Sequence, residues 1–394
     1  MTLESVTSEP APADLPVPST MPAAPQRVAV AAGHICLDLM PSFGKRALDF
    51  RPGDLRIAGP LTISTGGSVS NTGIALHRLG VRTRLVALAG DDPLGEVLRA
   101  TLERESAGLG DRLVVREGVR TSYSVILSSA VTDRIVLHDP GANDDFLARD
   151  ISDEALRGAE LLHFGYPPLM RAICANDGAE LAVIFGRAQR LGLATSLDMA
   201  EPDERAGAID WRALLTRVLP VTDIFLPSIG EVRTMLGRPD AQPGPLAEEC
   251  LALGARVAGI KLGRDGLYLR TASAAAMRSL AQRLPGLDAA AWAARELWAP
   301  VFDVAVRGTT GSGDTTIAGF VTGILERLGP EDSLNLGCAA GSLCVESDDA
   351  VSGIGSRRQA AERVASGLAR PASAALAAWA RLPSGVFAGP ADRR

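Results

Sequence analysis

The hydrophobic and polar residues from position 27 onward alternate in a way that predicts strands followed by helices. Short apolar runs of strand type occur, among others, at 28–33, 85–89, 194–197 and 224–226. Loops with glycine, proline or acidic residues follow these runs, and several lead into longer segments with apolar residues at helical spacing. The pattern is typical of an α/β protein with a mostly parallel central sheet and helices on both faces.

Three internal regions depart from this alternation. Residues 41–62 hold glycines and prolines between short apolar pieces, which predicts irregular strands or a lid more than core. Residues 121–127 and 134–137 are short β-type runs joined by a polar turn, the pattern of a hairpin. Residues 272–298 are alanine-rich and favour a helix, and we interpret them as a helical insertion before a strand at 301–306.

The two ends of the chain predict tails. Residues 1–26 are rich in Pro, Ala, Ser and Thr and lack the basic start and apolar run of a signal peptide, so a disordered tail is expected there. Residues 371–394, alanine-rich and then polar, are expected to form a C-terminal tail. The segment between them, 27–370, is predicted to be one large domain.

Composition narrows the class of partner. The 394 residues are 46% hydrophobic and 22% charged, as in an ordinary globular protein, and no apolar stretch reaches the roughly 20 residues of a membrane span. A net charge of −6 without runs of Lys or Arg argues against nucleic acid and anionic membranes, so we expect a small-molecule partner. The five cysteines lack C-x-x-C spacing and the four histidines lack a metal-binding pattern, which predicts reduced thiols, a cytoplasmic location and no histidine metal site.

The strongest chemical signal is a glycine turn that leads into an apolar helical run. The backbone N–H groups of Gly311, Ser312 and Gly313 can converge there, and the helix dipole adds partial positive charge, so the turn predicts an anion site. It has neither the G-K-[ST] ending of a P-loop nor the G-x-G-x-x-G fingerprint. Asp314 follows in the first helical turn, where a carboxylate serves equally well as an N-cap or dipole partner. A carboxylate base beside an anion cradle would suit phosphoryl transfer to a hydroxyl.

Other polar residues follow predicted strands. A second glycine turn, Gly66-Gly67, precedes a helical run that carries Asn71, which is either a site residue or an ordinary turn residue. In open parallel sheets, ligands bind beyond the carboxyl ends of the strands. The carboxylates that follow predicted strands are Asp38, Asp198 and Glu231.

Taken together and in this order, these motifs resemble those of the ribokinase-like, or PfkB, family of carbohydrate kinases over residues 27–360. The stretch from Gly66-Gly67 to Gly80 is similar to the family's first signature, and GTTGSGD at 308–314 is similar to its second, usually DTTGAGD. A GDD-x-x-G motif at 90–95 lies between them. The resemblance implies a three-layer ribokinase-like fold with a small β-strand lid from about 39–62 and 120–139.

The same resemblance implies roles for individual residues. Asp314 would be the general base, and Gly311, Ser312 and Gly313 would form the anion hole around the γ-phosphate of ATP. Glu231 would organise a hydrated Mg²⁺ ion. The positions implied to bind the substrate are Asp38, Gly66, Gly67, Asn71 and Asn143. Those implied to bind the nucleotide are Ser228, Lys261, Gly263 and Gly266.

Several positions depart from the family pattern. Ser228 stands where the N-x-x-E motif has Asn, so its contact would be shorter and weaker. Gly308 replaces an Asp that helps many relatives bind a monovalent cation, which leaves activation by K⁺ doubtful. Gly73 replaces a common alanine, and the insertion at 272–298 is unusual. None of these changes removes the base or the anion hole.

The sequence therefore predicts a carbohydrate kinase that transfers the γ-phosphoryl group of ATP to a hydroxyl of a sugar or sugar-like molecule. A nucleoside kinase of the same fold is the alternative enzyme, although aromatic residues that could stack on a base make up only 4% of the chain. A catalytically weak sugar- or nucleotide-binding regulatory protein is a third hypothesis, motivated by Ser228 and Gly308. A homodimer is compatible with each of these hypotheses.

Overall fold

The computed structural model describes residues 27–44, 48–129, 132–202, 209–347, 349–371 and 373–393, so the predicted tail at 1–26 lies outside the described residues. The strands are β1 (Val28–Gly33), β2 (Cys36–Pro41), β3 (Leu61–Gly66), β4 (Arg82–Val86), β5 (Leu88–Gly90), β6 (Val114–Arg116), β7 (Tyr123–Ser129), β8 (Thr132–Asp139), β9 (Leu161–Gly165), β10 (Ala194–Leu197), β11 (Ile224–Phe225), β12 (Val257–Lys261), β13 (Leu267–Thr271), β14 (Glu296–Ala299), β15 (Ala380–Arg381) and β16 (Phe387–Ala388). The helices are α1 (Ser68–Arg78), α2 (Pro93–Glu105), α3 (Asp153–Leu156), α4 (Arg171–Arg190), α5 (Trp211–Val218), α6 (Ile229–Leu236), α7 (Pro243–Ala252), α8 (Ala274–Arg283), α9 (Ser312–Leu325), α10 (Pro330–Cys344) and α11 (Arg357–Ala365).

Ten of these strands form one large sheet. Its order is β15-β16-β14-β13-β12-β11-β10-β9-β1-β4. Six neighbouring strands of this sheet, β4-β1-β9-β10-β11-β12, pair in parallel. Beyond β12, the strands β13, β14, β16 and β15 extend the sheet with antiparallel pairs. The carboxyl ends of the parallel strands therefore lie along one edge of the sheet, where ligands of open α/β folds bind.

Helices cover both faces of the large sheet. One apolar core joins the sheet to α4, α5, α6 and α7 through residues such as Phe185 and Leu246. A second core lies on the opposite face, where α1, α8, α9 and α10 contribute residues such as Leu76 and Phe320. Neighbouring residues of β9 point into different cores, Leu161 into the second and Leu162 into the first, as the two-residue period of a strand requires. The predicted three-layer fold with a mostly parallel sheet is confirmed.

A separate small sheet contains four strands in the order β3-β2-β7-β8. The predicted hairpin is its β7–β8 pair, in which Val125 opposes Leu137. The segment from 41 to 62 supplies the ends of β2 and β3, which pair antiparallel. Movement of this sheet as a lid stays a prediction.

The strand predicted at 301–306 is wrong, because β14 forms earlier, at Glu296–Ala299. Pro300 follows it and has no N–H for the ladder, while its carbonyl accepts hydrogen bonds from Arg370. Phe302 packs with its ring centroid 4.6 Å from the same guanidinium. The segment at 272–298, which we interpreted as a helical insertion, therefore includes both α8 and most of β14.

The interpretation of 371–394 as a tail is also wrong for the part that the structure describes. Strand β16 pairs with β14, Trp298 opposite Phe387, and β15 closes that edge. Asp392 binds the guanidinium of Arg295, with Nε and Oδ1 2.7 Å apart. Strands of two residues carry too little periodic pattern to be detected from sequence.

Candidate active site

The glycine turn at 311–313 leads into a helix, α9, as the helical spacing of the apolar residues after it predicts. Gly311 has φ +73°, and a Cβ built on it would lie 2.4 Å from Cβ of Ala350, so only glycine fits. Helix α9 begins at Ser312, and Asp314 lies in its first turn with 2% of its surface exposed. The turn therefore presents a helix N-terminus directly beside a buried carboxylate.

Three side chains from two other segments donate hydrogen bonds to the Asp314 carboxylate. Asn71 Nδ2 donates to Oδ2 at 3.0 Å, and Thr72 Oγ1 donates to Oδ1 at 3.2 Å. Tyr166 Oη donates to Oδ2 at 2.8 Å. Asn71 and Thr72 lie on α1, which packs against α9, and Tyr166 follows the carboxyl end of β9. The predicted substrate residue Asn71 thus contacts the predicted base.

Burial raises the pKa of Asp314 above its ordinary value, although Lys261 and the three donors act in the opposite direction. A raised pKa makes a carboxylate a stronger proton acceptor, which suits a general base. The donors fix the orientation of the group at the same time. This combination is not needed for an ordinary helix cap, which sits at the solvent-exposed end of a helix.

Lys261 and Asp198 form a buried ion pair next to the glycine turn. Lys261 Nζ lies 2.5 Å from Asp198 Oδ1, and the two side chains are 12% and 1% exposed. A Cβ built on Gly313 would lie 3.6 Å from Lys261 Nζ. Burial acts to lower the pKa of Lys261, but Asp198 and Glu231 outweigh it, so the pKa is raised and the ammonium keeps its charge. A positive charge therefore stands beside the predicted anion hole.

The first turn of α6 holds Ser228 and Glu231 in a reciprocal cap. Glu231 Oε2 accepts a hydrogen bond from the backbone N–H of Ser228 at 2.6 Å, and Ser228 Oγ accepts one from the Glu231 N–H at 3.3 Å. The backbone of Ser228 also forms an isolated parallel β-bridge with the backbone of Lys261. The predicted nucleotide and metal residues Ser228, Glu231 and Lys261 are thereby brought together.

The oxygen donors present fit a magnesium ion that arrives with a nucleotide. Mg²⁺ is usually held by one or two carboxylates, with water and phosphate oxygens completing its shell. Asp198 Oδ2 is buried without a hydrogen-bond partner, and Glu231 lies close enough to raise the pKa of Asp198 together with burial, the larger cause. Among the described residues, no group of three or more His, Cys, Asp or Glu side chains forms a complete metal cage.

The predicted substrate residues Asp38, Gly66 and Gly67 lie where the small sheet meets α1. A Cβ on Gly66 would lie 2.3 Å from Asp38 Oδ2, and one on Gly67 would lie 2.5 Å from His34 Nδ1, so both glycines admit polar groups close to the backbone. His34 Nε2 is 3.2 Å from Nε2 of His138 on β8. Burial, and secondarily His138, lowers the pKa of His34 to about 3, so His34 is neutral at physiological pH.

Two predicted site residues have contacts that organise the backbone, and a third lies in the same turn as one of them. Asn143 is buried and exchanges two hydrogen bonds with the backbone of Ile35, at 2.8 and 3.2 Å. Gly266 has φ +102°, and a Cβ on it would lie 2.0 Å from the Ala299 carbonyl oxygen. Gly263 has φ +56° in the same β12–β13 turn, with open space where a Cβ would stand. These contacts define the shape of the site, and binding by these residues stays a prediction.

The candidate site also contains four residues that the sequence motifs do not indicate: Thr72, Tyr166, His34 and His138. Thr72 could have been suspected from its position beside Asn71, and Tyr166 from its place directly after a strand. The two histidines meet only because the small sheet folds over the end of β1, which no local pattern shows.

The layered α/β fold, the anion-binding turn and the buried carboxylate define a phosphotransferase of the kinase type. Residues 36–355 match the family described as pfkB family carbohydrate kinase, so the chain belongs to the pfkB family of carbohydrate kinases. It is 28% identical over 281 residues to an uncharacterized sugar kinase of Archaeoglobus fulgidus, covering 71% of this chain and 98% of that one. It is 25% identical to the 2-dehydro-3-deoxygluconokinase of Bacillus subtilis, covering 76% and 87%.

A solved structure shows the same fold. The ribokinase of Arabidopsis thaliana, determined with ribose and ATP, superimposes with a TM-score of 0.67 at 20% identity, covering 86% of this chain and 98% of that one. Among the described residues, no helix is long and apolar enough to cross a membrane. The predicted family, fold and enzyme class are confirmed.

Proposed function

We propose that this carbohydrate kinase transfers the γ-phosphoryl group of ATP to a hydroxyl of a sugar or sugar-like molecule, with Asp314 as the general base. The observation that carries the proposal is the buried Asp314 carboxylate, held by three hydrogen-bond donors at the N-terminus of α9. Gly311, Ser312 and Gly313 would form the anion hole around the transferred group. Phosphoryl transfer depends mainly on such positioning and charge stabilisation.

The proposed reaction uses these groups in one step. The acceptor hydroxyl gives its proton to the Asp314 carboxylate as its oxygen bonds to the γ-phosphorus, and the bond from phosphorus to the bridging oxygen of ADP breaks. Backbone N–H groups of the turn and the Lys261 ammonium stabilise negative charge on the transferred group. Mg²⁺ supplies further charge neutralisation when it is bound, and Glu231 with Asp198 would hold it.

The remaining predicted residues complete the two halves of the site. Ser228 and the turn that contains Gly263 and Gly266 would contact the nucleotide. Asp38 and the Gly66-Gly67 turn would contact the acceptor, with Asn143 supporting the backbone of that region. Closure of the small sheet over the acceptor would exclude water, which otherwise competes with the sugar for the phosphoryl group.

The acceptor can be identified by testing a panel of candidate substrates. Sugars, sugar acids and nucleosides should be tested for ADP release from Mg-ATP, with and without K⁺, because relatives include a 2-dehydro-3-deoxygluconokinase and Gly308 makes K⁺ activation doubtful. ADP release that depends on one acceptor, and formation of its phosphate ester, would establish the transfer. Nucleotide binding without turnover on any acceptor would favour a binding protein instead.

The role of Asp314 can be separated from that of a helix cap by a matched pair of variants. Asp314→Asn should lower kcat by about 10²- to 10⁴-fold, the usual contribution of a general base, while ATP binding changes little. Asp332 occupies the corresponding third position of α10 but is exposed, so Asp332→Asn should leave kcat unchanged. Near-normal turnover of Asp314→Asn would refute the base assignment.

A further inference from the structure

Tyr166 has a backbone conformation that side-chain-bearing residues rarely adopt. Its φ and ψ are 62° and 41°, in the left-handed region, and the residue is neither glycine nor asparagine. Its neighbours leave little freedom, since a Cβ on Gly165 would lie 1.8 Å from Ser68 Oγ and Pro167 follows with a fixed φ. Such outliers persist where the surrounding structure enforces them, often at functional sites.

This conformation directs the phenol into the active site. Tyr166 Oη lies 2.8 Å from Asp314 Oδ2, and the ring centroid is 6.1 Å from that of His34. Burial, followed by the nearby Asp314, raises the pKa of Tyr166 well above its ordinary value. The phenol therefore keeps its proton at any pH used in an assay and acts only as a donor to the carboxylate.

The two oxygens of Asp314 are unequally occupied. Oδ2 accepts hydrogen bonds from both Tyr166 and Asn71, whereas Oδ1 accepts one from Thr72. A carboxylate oxygen offers about two acceptor positions, so Oδ2 is filled and Oδ1 has one position left. An incoming hydroxyl can reach the base without displacing any donor only at Oδ1.

We propose that Tyr166 is a positioning residue that fills Oδ2 of Asp314, so that the acceptor hydroxyl gives its proton to Oδ1. The inference rests on the proposed role of Asp314 as the base. Its competitor is a place-holder role, in which the phenol occupies the position of the acceptor hydroxyl and leaves when substrate binds. A positioning residue aids turnover, whereas a place-holder competes with the acceptor.

Tyr166→Phe separates the two roles because it keeps the ring and removes only the hydroxyl. We expect kcat to fall about tenfold, the effect of one hydrogen bond to a charged group, with little change in KM for the acceptor. The Tyr166 donor lowers the pKa of Asp314, so its loss should also move the acidic limb of kcat/KM to higher pH. A purely structural role would not move that limb.

Tyr268→Phe is the matched control. Its hydroxyl donates to Glu296 Oε1 at 2.9 Å, also in the interior, but on the antiparallel side of the large sheet. Both variants lose a hydrogen bond from a phenol to a carboxylate, partly buried at Tyr166 and buried at Tyr268, so Tyr268→Phe should lose at least as much thermal stability as Tyr166→Phe. Only Tyr166→Phe should change kcat and the pH profile.

Two results would overturn the inference. An unchanged kcat with an unchanged pH profile would show that the contact has no function, and a lower KM for the acceptor with kcat retained would establish the place-holder role. Failure of the base assignment is distinguishable, because Asp314→Asn would then remain active whatever Tyr166→Phe does. The panel's best acceptor serves as the probe in all these assays.

Discussion

Replacing Lys261 by Met tests the electrostatics of the site, because Met has a similar length and no charge. The Lys261 ammonium is the ion-pair partner of Asp198, whose side chain is 1% exposed and whose Oδ2 has no hydrogen-bond partner. The variant therefore leaves a buried carboxylate without its counter-charge. Such a change destabilises proteins far more than loss of a surface pair.

The expected magnitude follows from the burial of both groups. Breaking a buried pair by removing one partner costs about 3 to 5 kcal/mol, which for a domain of this size corresponds to about 4 to 6 °C in Tm. Asp198 can avoid part of this cost by taking up a proton, since burial raises its pKa. A protein that contains a carboxyl group with a raised folded-state pKa becomes less stable as the pH rises. Lys261→Met should therefore be less destabilised at pH 6 than at pH 8.

The assay combines urea unfolding with kinetics on Lys261→Met, Asp198→Asn and the double variant. The double variant should recover most of the stability that Lys261→Met loses, because no unpaired charge remains. Its kcat should stay low, since the positive charge beside Gly313 is still missing. Arg283→Met is the control, because Arg283 binds the buried Asp223 at the amino ends of the parallel strands, away from the candidate site.

Two outcomes would refute this reasoning. Additive stability losses in the double variant, equal at both pH values, would show that the pair is not electrostatically coupled. A normal kcat in Lys261→Met would show that the ammonium plays no part in phosphoryl transfer. A loss of kcat in Arg283→Met would point to general destabilisation instead.

Two further predictions concern stability in acid and assembly. Burial lowers the pKa values of His34 and His163 from 6.5 to about 3, so the unfolded chain binds more protons in that range. The free energy of unfolding should therefore fall as pH drops below 6.5, by up to about 1.4 kcal/mol per pH unit for each histidine. His163→Gln should reduce this pH dependence in urea unfolding, and an unchanged pH dependence in the variant would contradict the prediction. Ile63 and Leu137 lie 41% and 56% exposed on one apolar face of the small sheet, so we expect a homodimer through that face. Ile63→Lys should produce monomers in sedimentation velocity. Val183, 52% exposed on α4, provides the control, because Val183→Lys should leave the dimer intact. A monomeric parent protein would exclude this interface.

The sequence contains enough local information to predict the elements that carry the glycine motifs. Helix α9 begins at Ser312, and α1 begins directly after Gly67, because glycine freedom and helical periodicity act within a few residues. The outer strands of the antiparallel edge, β14 to β16, were not predictable in the same way. Strand β16 pairs with β14, and Trp298 lies opposite Phe387 although the two residues are far apart in the sequence.

The environment of Asp314 shows why a motif identifies a carboxylate more readily than the groups that bind that carboxylate. The carboxylate can be found from GSGD, yet its donors come from α1 and from the residue after β9, so their meeting depends on how α1, α9 and β9 pack. Tyr166 further contradicts local preference, since an aromatic residue in the left-handed region costs about 1–2 kcal/mol. Natural sequences depart from local rules mainly where function requires it. Because the Tyr166 backbone is unfavourable and its hydroxyl reaches the Asp314 carboxylate, Tyr166 is a candidate for a role in catalysis, and Tyr166→Phe tests that role.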